Sequence, residues 1–279
     1  MKIIVSLTST SQRLKLCRAA LISLATQSLL PDKIILNVSK EPYLRDAGIS
    51  NSDKDLFNYL LSNTPHTIQE IIEINWVENT GPYRKLVPTL LEADPSDIIV
   101  TADDDIFYHP EWLSLLLENF DSSNKTIHAA RVRYKIKNKI NRNTGYIHWP
   151  IINKDTVLSH NDWIITFGGG AVISKSWLPD RLIQDRSYLE LAPTADDLWF
   201  SKIFQLQGLK VKVVTEALHE ISPLLHNDGL VNHNLPKVSN TILSKAFYHL
   251  LDSPLNYLGF KKHGNDIAYH AIKEYFSKY

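Results

Sequence analysis

The sequence predicts an α/β protein with a mixed, mostly parallel sheet flanked by helices. Three observations lead there. Apolar, β-branched runs alternate with helical patterns over the first hundred residues, an aspartate triplet stands just past one such run, and an acidic pair opens a helix farther on. Lys2 to Leu7 reads as a buried strand, followed by Thr8-Ser9-Thr10-Ser11, a capping sequence for a helix with Leu14, Cys17, Leu21 and Leu24 on its apolar side. Further strands are expected at Lys33–Val38, Ile71–Val77 and Asp97–Ala102, with helices around Asp53–Leu61 and Tyr83–Leu91. Sheets of this kind bind ligands beyond the carboxyl ends of their strands. That rule gathers the loops Thr8–Arg13, Ser39–Tyr43, Asn79–Lys85 and Asp103–Phe107 at one edge.

The second half is more mixed. It predicts a helix from about Pro110 to Phe120, a strand over Thr126–Tyr134 and a turn at Asn143-Thr144-Gly145. Gly168-Gly169-Gly170 precedes the apolar Ala171-Val172-Ile173. Ala195-Asp196-Asp197 opens a helix with Trp199, Ile203 and Leu206 on one face, ending at Gly208, and a last strand covers Lys210–Val214. The tail holds two helical patterns separated by Pro254 and Gly259.

At 279 residues and 44% hydrophobic content the chain can bury a sizeable core. Thirty basic residues balance thirty acidic ones, so no global field draws in nucleic acid, and none is expected as a partner. Cys17 is the only cysteine, which excludes an internal disulfide and suits a reducing cytoplasm. The apolar run after Met1 is too short for a signal sequence, so Met1 is expected to be the true start, and no stretch approaches a membrane span.

Asp103-Asp104-Asp105 carries the chemistry. On an extended chain Asp103 and Asp105 face one way and Asp104 the other, and two convergent carboxylates call for a hard dication, Mg²⁺ or Mn²⁺. The plainer reading is a polar strand end with one helix cap. Asp196-Asp197 has a plainer reading too: Thr194 and Asp197 fit a capping box, whereas beside a metal site Asp197 would be a general base. Gly81-Pro82-Tyr83-Arg84-Lys85 places cations at a helix start, where Lys85 or Arg84 can hold a diphosphate. His219, His226 and His233 recur every seven residues, but Pro223 and Gly229 exclude a helical stripe. Arg131, Arg133, Lys135, Lys137 and Lys139 alternate with Val132, Tyr134 and Ile136, the pattern of an edge strand protected by charge or of a basic rim facing an anionic acceptor or a membrane surface.

Taken in order, Ser6-Leu7-Thr8 with Arg13, the aspartate triplet with Pro110 seven positions after its first member, the glycines, and Asp196-Asp197-Leu198-Trp199 with Gly208 resemble a known family. It is that of the inverting family 2-like GT-A glycosyltransferases of bacterial surface-polysaccharide synthesis (capsule, lipopolysaccharide or exopolysaccharide). The resemblance spans roughly Lys2 to Val214. It implies a GT-A fold in residues 1–235, with a nucleotide-binding half 1–108 and an acceptor half 109–235, and a helical tail 236–279 packed on the domain. It implies Mn²⁺ or Mg²⁺ on Asp103 and Asp105, with His219 as a further ligand, and Asp197 as catalytic base. Thr8, Arg13, Lys85, Asp103, Asp104, Gly169 and Gly170 are the expected contacts of a nucleotide-sugar donor, a UDP-sugar. The expected activity is inverting transfer of a hexosyl or N-acetylhexosaminyl group to a glycan or lipid-linked glycan, in the cytoplasm or peripherally on the inner membrane face. The sequence departs from the family at Leu7, where a proline is usual, and at Asn37-Val38-Ser39, where an acidic pair is usual. The alternatives are a retaining GT-A transferase, a nucleotidyltransferase and a non-catalytic carbohydrate-binding module. A nucleotidyltransferase would be expected to carry a glycine-rich, basic phosphate loop after its first strand, which is not evident here.

Overall fold

The first strand, β1 (Ile3–Thr8), is central: it pairs in parallel with β2 (Lys33–Val38) on one side and with β4 (Ile98–Thr101) on the other, and β3 (Ile72–Trp76) continues the parallel set beyond β2. The computed structural model describes residues 1–224, 248–260 and 262–278. Beyond β4 the large sheet becomes mixed. β10 (Ala171–Ser174) joins antiparallel, then β6 (Thr126–Ala129), β11 (Lys210–Val213) and β8 (Thr156–Leu158), giving the order β3-β2-β1-β4-β10-β6-β11-β8. Two small ribbons sit at the carboxyl edge: β5 (Ile106–Tyr108) with β12 (Ile221–Pro223), and β7 (Val132–Tyr134) with β9 (Trp163–Ile165). This is the α/β, largely parallel, helix-flanked architecture expected, with a helix near the C-terminus.

Strand alternation divides the core between the two faces of the sheet. Ile4, Ile99, Ile127 and Ile173 point to one face, where the helix Asp196–Leu206 lays down Trp199, Phe200, Ile203 and Phe204. Val5, Leu7, Val100 and Val172 point to the other, against Cys17, Leu21 and Leu24 of the helix Leu14–Leu24 and against Trp112. Leu206, expected on the buried face of its helix, is 36% exposed.

Three local expectations are corrected. The helix expected over Tyr83–Leu91 is instead a 3-10 turn, Gly81–Lys85, followed by a separate helix, Val87–Glu92. Pro88 has no N–H to donate back to Arg84, so it fits only a helix's first turn. The strand expected over Thr126–Tyr134 is broken at Ala130-Arg131, because the Ala130 N–H donates to Gly170 O while the Arg131 carbonyl accepts from Thr166 N and starts β7 in a different sheet. The basic alternation therefore belongs to a strand only as far as Tyr134. Thr194 and Asp197 form no capping box: the helix Asp196–Leu206 has no side-chain cap, and Asp197 accepts a hydrogen bond elsewhere.

The tail from residue 248 is tied to the second half of the domain through Asp266. Its carboxylate accepts hydrogen bonds from the Tyr146 N–H (2.6 Å), the Asn256 side-chain amide (2.8 Å) and the His263 N–H (2.9 Å). Tyr275 and Phe276 close the same interface on Trp199. The expected domain boundary at 235/236, as well as His226 and His233, lies outside the described residues. Among the described residues no helix is long and apolar enough to cross a membrane.

Because Asp266 is buried and satisfies three donors, Asp266→Ala is expected to lower stability by about 2–4 kcal/mol and to increase proteolysis after Gly259. Urea denaturation with limited proteolysis measures both; an unchanged midpoint would show that the tail is not held through this carboxylate.

Candidate active site at the carboxyl edge of the sheet

The carboxyl ends of β1 and β4 open into a cavity of about 940 Å³, lined from the first half by Thr8, Arg13, Arg84, Lys85 and the three aspartates, and from the second by Arg131, Arg133, Gly168, Asp196 and Asp197. The tail adds Tyr248 and Asn265. Asp103 stands two residues past β4, and Asp104-Asp105 form the turn into β5. Asp104 is consequently driven inward, where its carboxylate accepts from Ser9 Oγ (2.6 Å) and pairs with Arg13 (2.9 Å) at 1% side-chain exposure. Asp103 and Asp105 keep 28% and 22% of their side chains exposed on the cleft.

Each of these carboxylates faces a cation. Arg13 bridges Asp104 and Asp105, the latter at 3.1 Å. Lys85 lies 2.5 Å from Asp103 and 3.6 Å from Asp196, joining the end of β4 to the start of the helix Asp196–Leu206. Burial opposes the charge on Lys85, but Asp103, Asp196 and Asp197 outweigh it and hold its pKa above the ordinary lysine value. Burial likewise opposes ionisation of Asp103, and the nearby ammonium outweighs it, so Asp103 stays below the usual carboxylate range. Asp196, farther from Lys85, is raised by burial. Asp197 is pushed up to about 7 by burial and by the charge of Asp196, while its Oδ1 accepts the Phe167 N–H at 2.9 Å. Burial also raises Asp104 to about 7 against the pull of Arg13.

The expected site residues separate into two groups. Thr8, Arg13, Lys85, Asp103, Asp104, Asp105 and Asp197 all line the cavity, although the Thr8 hydroxyl is spent on Asn37 O. Gly169, Gly170 and His219 do not. Gly169 packs its backbone on Arg131, and Gly170, at φ +99°, packs on Trp112 and Leu116, so both lie behind the wall. The cleft-facing glycine is Gly168, where a Cβ would stand 2.3 Å from Asp103 Oδ2 and would push that carboxylate aside. His219 is exposed at the end of the helix Thr215–His219, beside the β5–β12 ribbon. Among the described residues no three histidine, cysteine, aspartate or glutamate side chains converge as a metal cage.

Two features of this cleft involve arginines that the sequence pointed to without showing their partners or their common cavity. Arg84 is buried against Asp46 at 2.9 Å, and Asp46 also accepts from Asn79 and the Gly48 N–H. The signal was thin, a lone acid in a polar loop. Arg131 and Arg133 point into the cavity and form no ion pair among the described residues: Arg131 Nε donates to Thr166 Oγ1, and Arg133 donates to Trp149 O and lies over the Tyr146 ring. Arginines at the start of an otherwise lysine-bearing alternation were the available clue.

No protein-family model matches the chain, and no curated protein does. Solved structures similar to it include the 2-C-methyl-D-erythritol 4-phosphate cytidylyltransferase of Francisella tularensis, with 13% identity over 75% of this chain and 88% of that one at a TM-score of 0.41. They also include the 4-diphosphocytidyl-2C-methyl-D-erythritol synthase of Anaerococcus prevotii, with 18% identity over 76% and 86% at a TM-score of 0.46. At these identities the likeness concerns fold. The expectation of an inverting surface-polysaccharide glycosyltransferase is corrected here, since these neighbours stand with the nucleotidyltransferase alternative instead.

The buried Asp104 has a measurable consequence. Its folded pKa of about 7 lies above the unfolded value of about 4, so across that interval the unfolded chain binds fewer protons and stability falls as pH rises. Relative to Asp104→Asn, which cannot ionise, the wild type is expected to lose on the order of 2–4 kcal/mol between pH 4 and pH 7. Denaturation of both proteins across that range measures it, and parallel stability curves would refute a buried carboxylate with a raised pKa.

Proposed function

We propose that this protein is a nucleotidyltransferase that holds a nucleoside triphosphate in the cleft and transfers its nucleotidyl group to an oxygen nucleophile. The observation that carries this reading is the cation set. Arg13, Arg84, Lys85, Arg131 and Arg133 reach one cavity from three separate segments of chain. Arg13 Nε, Arg84 Nη1 and Arg133 Nε are, in addition, buried donors without a hydrogen-bond partner among the described residues. Unpartnered guanidinium N–H groups are costly, and an anionic ligand that draws these side chains toward it relieves the cost. In place of a glycine-rich basic loop after β1, Arg13 from that segment is joined by cations from two others.

Asp103 and Asp105 fit a divalent cation. Both are hard oxygen donors open to the cleft, and Mg²⁺ is commonly held by one or two carboxylates, with substrate phosphates and water completing its shell. Mg²⁺ or Mn²⁺ bound there would neutralise charge on the phosphate oxygens. His219 is not among the residues that line this cavity. The protein's own groups do the rest. Arg131 and Arg133 hold the polyphosphate while the acceptor oxygen attacks the α-phosphorus. The bond from that phosphorus to its bridging oxygen breaks, and the electron pair departs with pyrophosphate. The proton of the attacking oxygen, from a hydroxyl or a singly protonated phosphate, goes to Asp197, whose pKa of about 7 suits a base at neutral pH.

Thermal shift with each nucleoside triphosphate and Mn²⁺ tests the reading. One triphosphate is expected to raise the melting temperature by several degrees, an effect lost in Arg131→Gln and in Asp105→Asn. With a panel of sugar phosphates and alcohols as acceptors, pyrophosphate release is expected to rise with pH through about 7 and to fall at least a hundredfold in Asp197→Asn. Absence of a shift with any triphosphate, or an undiminished shift in Arg131→Gln, would overturn it.

A further inference from the structure

A second cavity, of about 600 Å³, lies between the end of β7, the outer face of the helix Asp196–Leu206 and the tail helix Gly264–Tyr275. Its floor is apolar, formed by Ile164, Leu198 and Ile272, each 3% exposed or less. Its walls carry Lys135, Lys137, Lys202 and Lys273 against a single acid, Asp162, which is 57% exposed and 3.4 Å from Lys135. We propose that this pocket is a second ligand site that takes an organic phosphate, with the anionic group on the lysines and the apolar body on the floor.

The geometry argues for a built site. Lys135 is 14% exposed and held in place by Asn161 O (2.5 Å) and Tyr269 Oη (3.2 Å), with its ammonium over the Tyr269 ring. Three separate chain segments, 135–137, 202 and 273, bring like charges around one hollow. Gathering them costs free energy in the empty protein, which a phosphate removes. Burial and the charges of Lys135 and Lys273 also hold the Lys202 ammonium below the ordinary lysine range, and no carboxylate pairs with it among the described residues. An edge strand kept apart by charge, the plainer reading of this sequence, accounts for Lys135 and Lys137 but not for Lys202 of the helix and Lys273 of the tail lining the same hollow. Leu198, next to Asp197, lines both cavities, so the two sites share one helix.

Calorimetry at low ionic strength with inorganic pyrophosphate distinguishes the sites. Wild type is expected to show two binding events, Lys202→Gln/Lys273→Gln to lose one of them with its melting temperature in buffer retained, and Arg131→Gln/Arg133→Gln to lose the other. A single event in the wild type that vanishes in the arginine variant would overturn the lysine site while leaving the cleft intact. Two events that persist in the lysine variant would overturn it as well. Sedimentation with phosphatidylserine vesicles is the second arm: binding to vesicles that is lost in the lysine variant, without a second pyrophosphate event, would assign the lysines to a lipid surface and overturn the proposal.

Discussion

The ammonium of Lys85 is the constraint on which the cleft depends. It sits between Asp103 at the end of β4 and Asp196 at the start of the helix Asp196–Leu206, so it neutralises carboxylates delivered by the two halves of the chain. Without it, Asp103, Asp196 and Asp197 would be like charges around one buried space, and some would have to take up protons. Its placement is fixed from behind, where the Lys85 carbonyl accepts from Ser6 Oγ at 2.5 Å and that hydroxyl meets Thr89 Oγ1 at 2.6 Å. The 3-10 turn Gly81–Lys85 therefore serves electrostatics. A continuous helix through Pro88 could not both lose a backbone donor and keep the lysine aimed along the strand ends.

The cations of the cleft divide into two kinds. Arg13, Arg84 and Lys85 each hold at least one buried carboxylate, and removal of any of them would strand a charge in low dielectric, at a cost of about 3–5 kcal/mol. Arg131 and Arg133 are anchored by neutral oxygens, Thr166 Oγ1 and Trp149 O, and keep their charge for whatever enters. Cations that also hold carboxylates thus line the half built from β1 and β4, and cations anchored by neutral groups line the half built from β7. This division lets the second group respond to a ligand without unfolding the first.

Much of this was legible in the sequence because its physics is local. β-branched runs set the strands, and the aspartate triplet after Ala102 marked the carboxyl edge, since an open parallel sheet leaves its loops there. What was not legible depends on contacts distant in sequence. Nothing near Gly169 or Gly170 shows that they back onto Arg131 and Trp112, while Gly168 meets Asp103, some 65 residues upstream. The capping box at Thr194 was a sound local expectation that lost to the Phe167 N–H, a donor brought in by β9. His219 followed the last long strand as expected but is exposed at the end of a short helix, beside a ribbon that the sequence did not foretell. The activity was the least legible, because a carboxylate cluster at a sheet edge serves several kinds of phosphate chemistry.

The tail explains why the second half of the cleft has a defined shape. Tyr146 lines the cavity and stacks under Arg133, and its own N–H is held by Asp266. Gly145 precedes it because a Cβ there would meet the Asn256 side chain at 2.0 Å, and Asn256 is in turn bonded to Asp266. A chain of contacts therefore runs from the tail through Asp266 and Tyr146 to Arg133, a cleft-facing arginine that pairs with no carboxylate among the described residues. Its guanidinium is oriented by a ring, and the ring by the tail. Loosening residues 253–275 would thus disturb the cleft through geometry rather than charge, which makes the tail a part of the site's construction and not an appendage to it.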